Sequence, residues 1–332
     1  GGDFLSEKMS EVYEAYDMEI LGAVRGRGSM ILKTDRGIRQ ISPFDGSEER
    51  LEQEREFKEN LYETGFHHID CCVPNREGEL ITCDRYGNPY VMREYFEGRE
   101  CNPGSICDLN QAAANLAIFH IRGRELYAKE GRTYAYREPG NFRRKTQEMK
   151  KIRSFISKRP TKNDFELLYI EAYDAFYRQA IDCQAMMDAC DRTNIAGHIG
   201  YCHGAYNYHS VLFCGGYLAT VNFDRFHVGY QLIDLYQFIR KVMEKNNYNF
   251  NMAVKIIEEY DRILPLTIED YRYIYILYSY PEKFWKVSNR YMNSRKCWIS
   301  PANLEKLSKL ITDEQEKQKF LSDFCNHYGF TS

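Results

Sequence analysis

In the first third of the chain, apolar residues come in short runs cut by glycine and turn residues; further on they recur at helical spacing. Met18 to Val24 is a short apolar run, punctuated by Gly22, Gly26 and Gly28 with Arg25 and Arg27 between the last three. Ser29 to Thr34 and Ile38 to Ile41 are two more strand-like runs, and Asp35-Arg36-Gly37 between them predicts a hairpin. After Asp45-Gly46-Ser47, a charged, helix-favouring stretch runs from Ser47 to Leu61, with Leu51, Phe57 and Leu61 as its apolar points. Glu79 to Cys83 and Tyr90 to Phe96 are strand-like on either side of Tyr86-Gly87-Asn88-Pro89, which is turn chemistry. The order strand, strand, strand, helix, strand, strand predicts a five-stranded antiparallel sheet with one helix after its third strand.

Gly98 to Pro103 reads as a linker, and beyond it the pattern turns helical. Leu109, Ala112, Ala113, Leu116 and Phe119 or His120 recur at helical spacing behind an Asp108 cap. Phe165 to Phe176, Leu232 to Met243 and Ala253 to Tyr260 repeat that spacing. One non-helical insert breaks the region: Val211 to Cys214 and Tyr217 to Phe223 flank Gly215-Gly216, a strong hairpin signal. The sequence shows neither an internal repeat nor a low-complexity tract.

Composition narrows the class. With 332 residues there is room for two lobes with cores of their own. Hydrophobic residues at 43% and charged residues at 28% fit a soluble globular chain. A formal net charge of -3 carries no basic excess, so neither nucleic acid nor a membrane surface is an expected partner. No apolar run approaches the roughly 18 residues of a spanning helix, and Gly1-Gly2-Asp3-Phe4 does not open a secretory signal. The 11 cysteines include no CxxC pair, which predicts reduced cytosolic thiols and no metal site. The 27 tyrosines are expected in the core and on half-buried surface.

The chemistry lies around the insert. His203-Gly204-Ala205-Tyr206-Asn207-Tyr208-His209-Ser210 precedes the hairpin, and Asp224-Arg225-Phe226 follows it. Loop, hairpin, then acidic turn is the layout of a phosphotransferase site. There, an aspartate in the loop handles the acceptor hydroxyl, an amide and a second acid hold magnesium, and a strand lysine pairs with the phosphates and a helix glutamate. His203-Gly204 with its loop, and Val221-Asn222-Phe223-Asp224, resemble the HGDxxxxN and DF(D/E) motifs of aminoglycoside-phosphotransferase-like and choline-kinase-like proteins. Arg25-Gly26-Arg27-Gly28, Gly46 to Arg50, Leu235 to Lys245, Tyr280 to Lys286 and Asn289 to Leu307 resemble spore coat proteins of the CotS type. The resemblance runs from about Tyr13 to Ile311.

It implies an α+β, two-lobed, protein-kinase-like fold, with a sheet lobe over 11–97 and a helical lobe over 98–330. The catalytic loop would be 203–210 and its hairpin 211–223. It also implies that the catalytic positions are vacated. Ala205 stands where the family has its aspartate, Ser210 where it has the metal-binding asparagine, Asn222 where it has the metal-binding aspartate, and Ser42 near the strand lysine. Lys33 falls on the preceding strand, and Arg39 is near but out of place. A divalent metal wants charged oxygens, so the loss at Asn222 is severe. His203 either ties the loop to a neighbouring helix or is a residual cleft residue, and Asp234 anchors the loop by resemblance. Asn207 is a residual site residue, and His209 with Asp224 is either a remnant metal pair or a set of solvated turn residues. Gly26 and Gly28 either cover phosphates through backbone amides or make a plain hairpin. Glu94 and Phe96, in Glu94-Tyr95-Phe96, would offer backbone groups to a purine. Among Glu49, Glu52 and Glu54 one is the relic of the lysine's partner, or all belong to a solvated face, and His67-His68 reads as a surface pair.

The expected function is a structural or binding component of the bacterial endospore coat. It would be made in the mother-cell cytoplasm, partner other coat proteins, and have a pseudokinase-like fold. Two alternatives stand beside it. One is a divergent phosphotransferase using ATP and Mg2+ on a hydroxyl group. The other is a module holding a nucleotide or small ligand in the cleft between lobes.

Overall fold

The computed structural model describes residues 11–26, 28–131, 141–190, 196–293 and 301–330. Arg27 and part of the C-terminal resemblance, Trp298-Ile299 included, lie outside the described residues. By packing, the chain divides into two compact units, and the division is not sequential. The described residues of Gly1–Asn102, Ile118–Gly131 and Tyr201–His227 form one unit, and those of Pro103–Ala117, Arg132–Gly200 and Val228–Ser332 the other. The loop 203–210 and its hairpin therefore pack with the sheet.

The first unit is built on five antiparallel strands: β1 (Ile20–Arg25), β2 (Met30–Thr34), β3 (Gly37–Pro43), β4 (Ile81–Cys83) and β5 (Pro89–Glu94), in the order β1-β2-β3-β5-β4. The two-residue turn Asp35-Arg36 joins β2 to β3 in register Thr34↔Gly37, as expected from the turn signal. Val12, Tyr16, Leu32, Ile41 and Met92 make one buried cluster on this sheet, and Leu51, Leu80 and Val91 another. Helix α1 (Glu48–Glu63) follows β3, and the Ser47 side chain caps it by accepting from the Arg50 N–H.

The predicted linker Gly98–Pro103 needs correcting. Arg99–Glu100 form a short strand, β6, which pairs with β8 (Val211–Phe213) and through it with β9 (Leu218–Thr220). A two-residue strand has no periodicity of its own and exists through its partner. Gly98 marks the close approach, since a Cβ there would lie 2.6 Å from Cys214 Sγ and 2.8 Å from the Phe213 carbonyl oxygen. The helix at the next junction, α2 (Ile106–Glu130), starts earlier than expected: Ser105 caps it, its Oγ accepting from the Asp108 N–H at 3.3 Å, while Asp108 sits within the first turn.

The second unit is helical: α3 (Phe142–Ser157), α4 (Asp164–Ala189), α5 (Leu232–Met243), α6 (Phe250–Ile263), α7 (Ile268–Ser279), α8 (Glu282–Asn293), α9 (Pro301–Thr312) and α10 (Glu314–Tyr328). Strands β7 (Ile199–Cys202) and β10 (His227–Tyr230) lie where the division between units falls. Capping boxes start α4 (Asn163 with Glu166) and α7 (Thr267 with Asp270). Many of the 27 tyrosines are here, and they are core: Tyr169, Tyr260, Tyr273 and Tyr280 are fully buried. Phe284 of α8 stacks on Tyr169 at 5.0 Å and on Phe176 at 4.4 Å, tying α4 to α8. Phe284→Ala is expected to lower unfolding free energy in urea by about 3–5 kcal/mol, because the cavity cannot close between two rigid rings.

Candidate functional site

The hairpin forms as expected. β8 and β9 pair Val211↔Thr220 to Phe213↔Leu218, and the turn between them places Gly215 at φ +59° and Gly216 at φ +127°. Such dihedrals suit glycine. Before the hairpin, the loop folds against the turn that follows it. Gly204 sits at φ +78°, and a Cβ there would lie 2.0 Å from the Arg225 carbonyl oxygen, so no other residue fits.

The loop spends its polar groups on itself and on the strands beside it. His203 is fully buried; its Nδ1 accepts from the Ala205 N–H at 3.2 Å, which leaves Nε2–H to donate to the Val221 carbonyl at 3.0 Å. Both ring nitrogens are thus used in holding the loop to the strand end. Ser210, 1% exposed, accepts from the Asn207 N–H at 2.9 Å through Oγ and donates from it to the Asn207 carbonyl at 2.8 Å. The Asn207 side chain donates to the Ala205 carbonyl at 2.7 Å and accepts from the His209 N–H at 2.9 Å. Exposed His209 pairs through Nδ1 with exposed Glu100 Oε2 at 2.6 Å. Asp224 is exposed, and among the described residues no hydrogen bond or ion pair engages its carboxylate. Among the described residues, no group of three or more His, Cys, Asp or Glu is arranged to hold a metal ion.

Asn222 is exposed in the left-handed region, at φ +69°. Its N–H donates to Asp70 Oδ2 at 3.0 Å, because the chain from His68 to Asp70 runs beside β9, Thr220 donating to the His68 carbonyl at 2.8 Å. Asp70 leads to the centre of the unit. Lys58 of α1, with no exposure at all, lies 2.8 Å from Asp70 Oδ1, donates to the Asp70 carbonyl at 2.8 Å, and donates to Glu54 Oε1 at 2.7 Å. Arg93 of β5 closes the group on Glu54 with two bonds of 3.3 Å. Burial works against charge on Glu54, Lys58 and Arg93, yet the partners prevail: Lys58 and Arg93 hold the Glu54 carboxyl below its ordinary value, Asp70 and Glu54 hold Lys58 above its own, and Glu54 does the same for Arg93.

None of these four residues was marked as a site by the sequence beyond Glu54. The view of α1 as carrying only a solvated charge run is corrected: Glu49 and Glu52 are exposed, whereas Glu54 is 5% exposed and takes the part of a lysine's partner. The signal was present: Leu51, Glu54, Lys58 and Leu61 lie on one helical stripe, and two opposite charges on a buried stripe at i, i+4 belong together. The helix also grips the turn after the hairpin. Phe57 stacks on Phe226 at 4.6 Å, Arg50 lies over the same ring at 4.0 Å and donates to the Phe226 carbonyl, and Lys58 Nζ is 5.4 Å from the Phe223 ring.

The remaining expected residues are placed as follows. Ser42 is half-buried on β3 opposite Val91; Lys33 is exposed on β2; Arg39 bends back to the carbonyls of Ile38 and Arg36. Gly26 gives its N–H to the Ser29 carbonyl at 2.9 Å, closing the β1–β2 hairpin, and Gly28 has φ +73°. Glu94 and Tyr95 spend their N–H groups on Cys71 and Ile38. Among the described residues Phe96 has no backbone hydrogen bond, and its ring meets Tyr217 and His68 edge-on at 6.4 Å. The Glu94 carboxyl is raised, burial outweighing Arg39. Asp234 is buried in the first turn of α5.

The family profile described as spore coat putative kinase YutH matches residues 9–324. The chain belongs to this family. Among solved structures, an aminoglycoside phosphotransferase from Alicyclobacillus acidocaldarius subsp. acidocaldarius is similar at TM-score 0.78 and 16% identity, over 96% of this chain and 95% of that one. A spectinomycin phosphotransferase in complex with ADP and spectinomycin is similar at TM-score 0.64 and 10% identity, over 94% and 98%. An amicoumacin kinase in complex with AMP-PNP and Ca2+ is similar at TM-score 0.55 and 11% identity, over 96% of each chain. No curated protein sequence matches. At these identities the likeness shows the fold: mixed α+β and protein-kinase-like, a small antiparallel-sheet region followed by a larger helical one. The family is a spore coat family, and no helix among the described residues is long and apolar enough to cross a membrane.

Breaking a buried ion group from one side strands the other charges. Lys58→Met is expected to cost about 3–5 kcal/mol in urea unfolding. The group also sets a pH signature. Glu54, with its pKa lowered on folding, contributes above the ordinary glutamate pKa and loses that contribution as pH falls through the lowered one; Lys58, raised, contributes fully below its ordinary 10.5 and loses it as pH rises through the higher value. Thermal unfolding against pH should therefore decline at both ends, and the alkaline decline should be shallower in Lys58→Met.

Proposed function

We propose that this chain is a spore coat component that keeps the kinase-like fold and has given up phosphoryl transfer, made in the mother cell and acting by binding other coat proteins. The observation that carries the reading is Ser210. At the position of a metal-binding amide, its hydroxyl is buried and saturated by Asn207 on both its donor and acceptor sides. Ala205 supplies no base and Asn222 no charge, so the residues present do not fit Mg2+ on a nucleotide. The buried lysine of α1 points the same way: Lys58 is neutralised within the protein, where a phosphate-binding lysine has to meet solvent and ligand. Loss of a base and of metal ligands each costs orders of magnitude in rate, since this chemistry rests on positioning and charge.

A second reading, a nucleotide held without turnover, is favoured by Phe96 alone, whose backbone groups are unspent beside the β5 ladder. The two separate in one experiment. Thermal stability would be recorded with ATP, with and without Mg2+ or Mn2+, for the natural chain and for Ala205→Asp, Ser210→Asn, Asn222→Asp combined. The expected result is no shift for the natural chain. A metal-independent shift establishes nucleotide binding. Magnesium-dependent ATP turnover that disappears in Asp224→Ala overturns the proposal.

A further inference from the structure

The helical unit holds a cavity of about 40 Å³, room for about three water-sized groups. Phe176 of α4 and Phe284 of α8 give its apolar wall, and Tyr236 and Arg240 of α5, Tyr278 of α7 and Lys317 of α10 its polar one. All six belong to that one unit. Lys317 and Tyr248 are half-buried, so the wall reaches the surface on their side. Tyr248 follows Asn247 in the left-handed region, at φ +55° after φ +48°, a strained turn of the kind kept where a side chain has to be held at a site.

The polar groups of this wall are unspent. Arg240, whose side chain is 13% exposed, donates through Nη1 to Glu244 Oε1 at 2.7 Å. Its Nε is buried without a partner, and among the described residues Nη2 has none either. That Nε–Nη2 edge is a fork able to grip a carboxylate or a phosphate with two parallel bonds. Tyr278 is 2% exposed, and its hydroxyl is buried with no partner. Among the described residues the Tyr236 hydroxyl makes no hydrogen bond, and the Lys317 ammonium has neither a hydrogen bond nor an ion pair. Burial raises both phenols, so they keep their protons, and burial lowers Lys317, as befits a cation short of a counter-charge.

The acids of the wall do not fill the gap. Glu244 serves Arg240 and Lys283, Glu282 serves Lys145 and Lys286, and Asp313 serves Lys309. Glu314 accepts from Gln179 and Gln318 through Oε1; its Oε2 has no partner among the described residues and lies beyond ion-pair reach of Lys317. Each unspent group that faces the space on Arg240, Lys317, Tyr236 and Tyr278 has a proton to give. Water there would turn hydrogens of its own toward donors, whereas an oxyanion only accepts.

We propose that this cavity is a binding site for a small oxyanion, a carboxylate or phosphate head group held by the Nε–Nη2 edge of Arg240, the Lys317 ammonium and the hydroxyls of Tyr236 and Tyr278. It uses no residue of the loop 203–210, and it stands apart from the reading of that loop.

Isothermal titration of the full chain with inorganic phosphate and with acetate, at matched ionic strength and with chloride as the control, tests it. Saturable binding of phosphate or acetate over chloride is expected, and the tighter of the two names the head group. Tyr278→Phe removes a hydroxyl that bonds to nothing, so unfolding without ligand should stay unchanged while affinity falls by about tenfold. Lys317→Gln should weaken binding by about tenfold or more. Absence of saturable binding, full affinity in either variant, or a Tyr278→Phe chain that unfolds earlier without ligand overturns the proposal.

Discussion

A lysine ammonium with no access to water has to be neutralised where it stands, and in the sheet unit that requirement organises everything around it. Lys58 reaches three acceptors: a carboxylate on its own helix, and a carboxylate and a carbonyl of Asp70. Asp70 in turn accepts from the Asn222 N–H, and Glu54 binds Arg93 on β5. One buried cation thus joins helix, sheet and the turn after the hairpin. Ion groups of this kind are poor evidence of net stability, because desolvation offsets most of the attraction. What they impose is arrangement: the helix has to lie at one height and one rotation for all four charges to be matched.

Much of this architecture is legible from residue order. Asp35-Arg36-Gly37 and Gly215-Gly216 mark their hairpins because those backbone angles admit few residues, and helical spacing finds α2, α4, α5 and α6 because each buries one face. What escapes is whatever depends on a partner remote in sequence. β6 is a strand only because β8 lies beside it, and Ser105 displaces Asp108 as the cap of α2 because the chain enters one turn earlier than the apolar pattern begins. The site shows the same split. The positions Ala205, Ser210 and Asn222 come from the family resemblance, whereas the closed bonding of Ser210 and the pairing of Asp70 with Asn222 do not. Glu54 and Lys58 look solvated in a string of charges, and only the depth of their stripe shows otherwise.

Family membership and geometry bear on different questions here. Membership places the chain with spore coat proteins, and likeness to phosphotransferases gives the fold. Neither speaks to the hydroxyl at 210, which the hydrogen bonds with Asn207 engage on both sides, while at 222 it is the backbone N–H that Asp70 holds. A loop whose donors and acceptors are matched internally is a finished piece of structure, and the cost of opening it would fall on any ligand that needed those atoms.

The aromatic packing of the helical unit has a consequence for how the molecule can be watched. Burial raises the phenol pKa of Tyr169, Tyr236, Tyr278 and Tyr328 well out of the ordinary range, and that of Tyr173 to about 12. These phenols stay protonated in alkali for as long as the helices hold together, and ionise together when they part. Near-ultraviolet phenolate absorbance is therefore a built-in optical gauge of cooperative opening, needing neither a dye nor a label, in the helical unit and also at Tyr16 of the sheet unit, whose phenol burial likewise raises.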